Sequence, residues 1–350
     1  MITHPSASPG PSGPQAGGAL RSVLGAVALI VGALSVGCQT TAPGDRVAAA
    51  AAHREGPRET VINGVRHWYR VAGACERGAV PVVFLHGGPG EGSDRFATLI
   101  GPRLEGDLCM VYFDQRGSGR SARSPDGDYA IPTLVADIEG LREALGAPRI
   151  ALVAHSFGVL LALEYAAAHP EHVTRLVLAG GVSDVPAAIE AQCERLAEVN
   201  AEAHARAVEA AAGSGMPCNI FRALPGPEAE AFFEANMFPY PRTLTLLDSV
   251  DAASGYENTG EMGRALFAGG LLQYQFARHD RLRMPVLVIA GLLDHQGGRE
   301  PHRELVRRLP NARLLEYEAS GHFMYVDEPA RFARDVVAFL TEPLGRRPSQ

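Results

Sequence analysis

The sequence predicts an α/β fold: a mostly parallel sheet with helices on both faces and a helical cap inserted late in the chain. Three observations carry that reading. Continuous apolar runs alternate with helix-period runs up to about residue 182 and again after about 271, the pattern of strands buried on both faces. Arg149 to Glu164 reads as a short apolar strand, a tight turn at Ser156 and a helix. Between 183 and 270 the alternation stops, and alanine-rich helical stretches are broken by Pro217, Pro225, Pro227, Pro239 and Pro241.

With 350 residues, 46% of them hydrophobic and 20% charged, the chain can bury one large core. The net charge of −7 gives nucleic acid no purchase, and no basic patch is interleaved with aromatics. No C-x-x-C or H-E-x-x-H spacing marks a metal site, and no metal or other cofactor is expected.

Residues 1–20 are rich in Pro, Gly and Ser, and Arg21 precedes an uncharged apolar run from Val23 to Gly37. That run is short for a membrane span and suits a signal-peptide core. It ends in Leu34-Ser35-Val36-Gly37-Cys38, which resembles the lipobox of bacterial lipoproteins. The resemblance implies a signal segment over 1–38, lipidation at Cys38, a membrane anchor at the cell envelope and a flexible tether over 39–58. In an oxidising compartment the other cysteines, Cys75, Cys109, Cys193 and Cys218, allow three pairings. Cys75 with Cys109, both in the core, and Cys193 with Cys218, both in the insert, are the expected pairs; buried free thiols are the alternative.

The core is expected over 59–182 and 271–345, with the cap over 183–270. Thr60 to Val71 alternates around Asn63-Gly64, a hairpin signal. Strands follow over Val80–Leu85, Leu108–Phe113, Ile150–Val153, Val173–Ala179, Val286–Ala290 and Arg313–Tyr317. Thr133 to Leu145 reads as a helix capped by Thr133, Pro186 to Ala212 as one long helical stretch, Glu228 to Asn236 as a further helix and Pro329 to Leu340 as the closing one.

In a parallel sheet the C-terminal ends of the strands gather on one edge. Ser156 follows one strand, Asp294 a second and His322 the last. A serine hydroxyl is a poor nucleophile at neutral pH. An imidazole takes its proton and returns it to the leaving group, while a carboxylate fixes the tautomer and stabilises the imidazolium. The turn Ala154-His155-Ser156-Phe157-Gly158 departs from G-x-S-x-G only in carrying alanine first, which still fits. His155 is expected to pack beneath the turn, and His295 to be a bystander. Leu85-His86-Gly87-Gly88-Pro89-Gly90 ends another strand; Gly88 N–H and Phe157 N–H are assigned to an oxyanion hole, with His86 ordering the loop.

H-G-G-P-G at 86–90 followed by Asp114-Gln115-Arg116-Gly117-Ser118-Gly119-Arg120-Ser121 resembles the prolyl aminopeptidase (proline iminopeptidase) branch of the α/β-hydrolase family. The resemblance implies an α/β-hydrolase fold and an aminopeptidase that releases N-terminal residues from short peptides through an acyl-enzyme; a carboxylesterase or lipase-like hydrolase of small esters is the alternative. Asp114 and Arg116 are read as structural supports. An aminopeptidase must meet a free α-ammonium group, and residues 183–270 hold 13 acidic and 5 basic residues, a net of −8. The resemblance points to Glu257, beside Asn258, as the substrate anchor, with Glu230 second. Glu190, Glu194, Glu198 and Glu202 form a helical stripe expected to face solvent.

Overall fold

The computed structural model describes residues 55–343 apart from 77, 225, 257 and 258. The signal segment, Cys38, most of the tether and Glu257 lie outside the described residues. Among the described residues no helix is long and apolar enough to cross a membrane.

Eight strands form one sheet in the order β1-β2-β4-β3-β5-β6-β7-β8. β1 (Gly56–Ile62) and β2 (Val65–Gly73) make the expected hairpin, and β2 pairs antiparallel with β4 (Cys109–Phe113). The connection is two residues, Asn63 at φ 48° and Gly64 at φ 77°, the left-handed pair that matches the twist of a hairpin. β3 (Pro81–Leu85), β5 (Ile150–His155), β6 (Val173–Ala179), β7 (Val286–Gly291) and β8 (Ala312–Tyr317) complete the parallel part. β1 reaches back into the segment read as tether. Pro57 does not prevent this, because β1 is an edge strand and one of its sides needs no ladder donor.

β3 to β7 are buried along their whole length, so both sheet faces are core. On one face Val83, Leu85, Leu152 and Leu178 pack with Leu134, Ile138, Leu161 and Leu305 from the helices Ile131–Ala144, Phe157–Ala168 and Arg299–Arg308. On the other, Phe84, Tyr112 and Val153 pack with Phe96, Phe332 and Val336 from Asp94–Leu99 and Pro329–Thr341. The helix expected from Thr133 begins at Ile131, with Pro132 in its first turn. Asp128 organises that start by accepting from Ala130 N–H at 2.9 Å and Thr133 Oγ1 at 2.7 Å.

The run between β6 and β7 holds helices from Val185 to Ala268. The stretch read as one helix is two, Val185–Val199 and Ala201–Ala210, broken at Asn200. Asn200 leaves the helical region at φ −156° and its side chain accepts from Ala203 N–H at 3.0 Å. That local bond competes with the helix ladder and makes asparagine a cap rather than an interior residue. The insert is divided in its packing. Cys193, Leu196, Ala207, Ile220 and Phe232 share their own apolar cluster, whereas Met262 and Leu266 join one core face of the sheet and Leu247 the other. Cys75–Cys109 and Cys193–Cys218 are both disulfides, with Cα separations of 4.5 and 6.0 Å. They are the pairs expected from the sequence.

Candidate active site

Ser156 sits between β5 and the helix Phe157–Ala168 at φ 53°, ψ −123°. A non-glycine residue in that region is strained, and two close approaches hold it there. A Cβ on Gly158 would lie 2.3 Å from Leu85 O, and one on Gly87 would lie 2.9 Å from Ser156 Cβ. Glycine at 158 is thus a steric requirement of the turn, while Ala154 fits within the buried strand.

The three strand-end residues meet. Ser156 Oγ lies 2.9 Å from His322 Nε2, and His322 Nδ1 lies 2.9 Å from Asp294 Oδ2. Asp294 and His322 are each 2% exposed. Asp294 Oδ1 also accepts the N–H groups of Gln296 at 2.8 Å and Gly297 at 3.2 Å. Burial works against charge on Asp294, but the His322 ring and its hydrogen bond, with the Gln296 N–H, hold the carboxyl below its ordinary range. Burial likewise works against charge on His322, and the Asp294 carboxylate with its hydrogen bond, aided by Glu91, raises it above the usual imidazole value. The arrangement can pass a proton from the serine oxygen to the imidazole and hold the resulting charge.

His155 and His86 have the supporting places expected of them. His155 Nε2–H donates to His322 O at 2.9 Å, tying β5 to the loop after β8. Burial, then the nearby His322 ring, push its pKa down to about 3, so it is neutral. His86 Nδ1–H donates to Gly87 O at 3.0 Å, and its Nε2 accepts from Gln115 N–H at 3.1 Å. His295 N–H donates to Asn236 O at 2.9 Å. The structure adds His302, buried beside Asp294, whose Nδ1–H donates to Gly298 O at 2.6 Å.

The D-Q-R-G stretch is scaffold. Asp114 Oδ1 accepts from Ser93 N–H at 2.8 Å and Ser93 Oγ at 2.7 Å, and Oδ2 from Arg120 N–H at 2.9 Å. Arg116 makes a two-pronged contact with Asp137, at 2.5 and 2.7 Å. Both residues match their expected structural role.

Ser156 opens on a cavity of about 230 Å³. Gly88 and Phe157 share its lining, and among the described residues neither N–H has a hydrogen-bond partner. Leu160, Ile189, Phe221, Phe233, Phe267 and Leu271 are among its apolar lining, and among the described residues no charged side chain lines it. Glu230, the second expected anchor, is exposed on its helix and is not among the described lining residues. The stripe Glu190, Glu194, Glu198 and Glu202 is exposed, with Glu198 paired to Arg195 at 2.9 Å and Glu202 to Arg206 at 3.0 Å. Gln192 and Gln296 line the cavity; neither was singled out from the sequence, where a lone glutamine carries no spacing signal. Glu91 was also passed over. It pairs with Arg95 at 3.0 Å, and Arg95 Nε reaches Asp251 on the cap helix Pro241–Ser254 at 2.9 Å.

Sequence spacing marks no metal site, yet Glu139, His169 and His172 offer ligand atoms within 4.8 Å of one another. Glu139 is already held by Arg142 at 2.5 and 3.0 Å and by Tyr165 Oη at 2.8 Å. A guanidinium at that distance opposes a second cation.

A family described as alpha/beta hydrolase fold matches residues 80–208. A proline iminopeptidase of Xylella fastidiosa is 48% identical over 104 residues, which are 29% of this chain and 32% of that protein. The matched segment therefore spans about a third of that curated relative. A putative carbamate hydrolase of Pseudomonas syringae is 28% identical over 276 residues, 77% of this chain and 98% of that one. The crystal structure of a proline iminopeptidase-related protein from Thermus thermophilus superposes with a TM-score of 0.68 at 29% identity, covering 82% of this chain and 97% of that chain. With the sheet order described above, the chain has the α/β-hydrolase fold, and its matched segment is similar to proline iminopeptidases.

Proposed function

We propose that this chain is a serine hydrolase that cleaves esters or amides of small, apolar acyl groups through an acyl-enzyme. The contact of Ser156 Oγ with His322 Nε2 at 2.9 Å, at the mouth of an apolar cavity, carries the reading. His322 Nε2 takes the hydroxyl proton as Ser156 Oγ bonds to the acyl carbon. Gly88 N–H and Phe157 N–H receive the developing oxyanion. His322 returns the proton to the leaving oxygen or nitrogen, and the same residues activate water to release the acid.

The sequence alone ranks an aminopeptidase ahead of an esterase. We place neutral esters first on the apolar side chains that line the cavity, Leu160, Phe221, Phe233 and Phe267 among them. The aminopeptidase remains the second reading, favoured by the H-G-G-P-G and D-Q-R-G motifs at 86–90 and 114–117. A panel of p-nitrophenyl acyl esters against aminoacyl p-nitroanilides separates the two. The expected result is faster turnover of neutral esters; a proline or alanine nitroanilide preferred over every ester would restore the aminopeptidase.

We also propose export and anchoring through Cys38. The paired cysteines suit an oxidising compartment. Envelope protein should show no free thiol at Cys75, Cys109, Cys193 or Cys218, and Cys38→Ser should move it to the soluble fraction. A wild-type chain found soluble with four free thiols would remove this reading.

A further inference from the structure

Gly88, the oxyanion donor proposed above, stands on a loop that glycine leaves soft. Gly88 and Gly90 have φ 110° and 95°, which residues with a Cβ rarely adopt, so neither carries a side chain that could wedge the loop in place. Ser93 closes the loop, with its N–H and Oγ both donating to Asp114. Between these points Glu91 folds back. A Cβ on Gly88 would lie 3.3 Å from Glu91 Cγ, so the glutamate stem packs beside the oxyanion residue. The Glu91 carboxylate accepts from Arg95 Nη1 at 3.0 Å. Arg95, on the helix Asp94–Leu99, turns its other nitrogens to the cap. Its Nε and Nη2 donate to Asp251 Oδ1 and Oδ2 at 2.9 and 2.5 Å, on the helix Pro241–Ser254. The cap also approaches the loop directly. A Cβ on Gly92 would lie 2.7 Å from Tyr256 Oη, and one on Gly263 would lie 3.7 Å from Pro89 Cγ.

With 17% of its side chain exposed and a two-pronged grip on Asp251, Arg95 is fixed in place as a solvated surface pair is not. We propose that Arg95 is a positioning residue for the oxyanion hole. By joining Asp251 on the cap to Glu91 beside Gly88, it holds the Gly88 N–H where it meets the oxyanion and makes that placement depend on where the cap lies. The inference rests on the hydrolase reading above and deepens it. Arg95 and Glu91 are not among the described residues lining the cavity, so they act through Gly88 and not on the substrate. A donor displaced by a fraction of an ångström weakens the bond to the tetrahedral oxyanion far more than binding of the ground-state ester. The loss should therefore fall on kcat and spare KM.

The test measures kcat and KM on p-nitrophenyl pentanoate, per active site titrated with a fluorophosphonate. It also measures Ki for an alkyl trifluoromethyl ketone, whose adduct with Ser156 puts an oxyanion in the hole. Arg95→Met is expected to lower kcat by roughly 10–100-fold with KM within about twofold, and to raise Ki by the factor by which kcat/KM falls. Asp251→Asn, which weakens the cap link and leaves the Arg95–Glu91 pair, should give a smaller shift in the same direction. The double variant should be little worse than Arg95→Met. Arg95→Lys keeps the charge and loses the fork, and should recover part of the loss. A structural role alone would lower the titrated fraction of active protein and leave kcat per site and Ki unchanged. That result, or additive losses in the double variant, overturns the proposal. Where Arg95→Met fails to fold, Asp251→Asn decides, and unchanged kcat and Ki in it overturn the proposal as well. Wild-type labelling and turnover with unaltered variants remove only the Arg95 assignment; no labelling and no ester turnover in the wild type remove the hydrolase and this inference with it.

Discussion

Ser156→Ala and His322→Ala are each expected to lower kcat/KM on a good ester by about 10⁴–10⁶-fold, and Ser156→Ala to abolish fluorophosphonate labelling. The size follows from the two residues acting as one device. Without His322 the hydroxyl proton has no acceptor, and without Ser156 the imidazole has nothing to activate. The double variant should therefore be little worse than either single one. A remnant over water is expected from the N–H groups of Gly88 and Phe157, which neither substitution touches. Loss of less than about tenfold in both single variants would mean that the chemistry does not run through this pair.

The same geometry sets the acid limb of the pH profile. His322 must be neutral to accept the proton, and Asp294 and Glu91 raise its pKa above the ordinary imidazole value against the effect of burial. Activity should fall as pH drops through a point above 6.5. Asp294→Asn should move that limb downward, because the charge that favours the imidazolium is gone, and should lower kcat by about 10⁴-fold through the wrong tautomer.

The parallel sheet was legible because a strand buried on both faces can only be written as a continuous apolar run, and Val173 to Ala179 is written that way. Ser156, Asp294 and His322 were legible for a related reason: each follows a strand of the parallel part, and that topology leaves their side chains one edge to share. The cavity was not legible. Its wall joins Leu160 of the core to Phe221, Phe233 and Phe267 of the insert, and nothing in an apolar residue's identity says which surface it faces. A count of charge is silent on position too. The insert is acidic, but a carboxylate on a helix is cheapest in water, and Glu230 and the four-residue stripe lie there. Asn200 could have been read correctly, since asparagine in an alanine-rich helix offers its own cap.

The largest expected loss of stability lies away from the cavity, at Asp137. Its carboxylate is 1% exposed and faces four donors: Arg116 Nε at 2.5 Å and Nη2 at 2.7 Å, Asn63 Nδ2 at 2.9 Å and His67 Nε2 at 3.2 Å. The cluster joins the hairpin turn, the loop after β4 and the helix Ile131–Ala144, which have no other buried ionic link among the described residues. Burial alone would raise the Asp137 pKa, but the bonds from Arg116, His67 and Asn63 outweigh it and hold the value low. Asp137→Ala leaves the Arg116 guanidinium, 3% exposed, without its counter-charge. The expected cost is about 3–5 kcal/mol, measured by urea unfolding. Because the folded pKa is depressed, the stabilisation is present above the unfolded value and fades as pH falls through the folded one, so the gap between wild type and variant should narrow in acid. Arg116→Met combined with Asp137→Leu removes both charges and fills the space with apolar atoms, so it should cost less than Asp137→Ala alone. A double variant as unstable as the sum of its singles would show that the two side chains act independently, and that the cluster is not held together by the pairing of their charges.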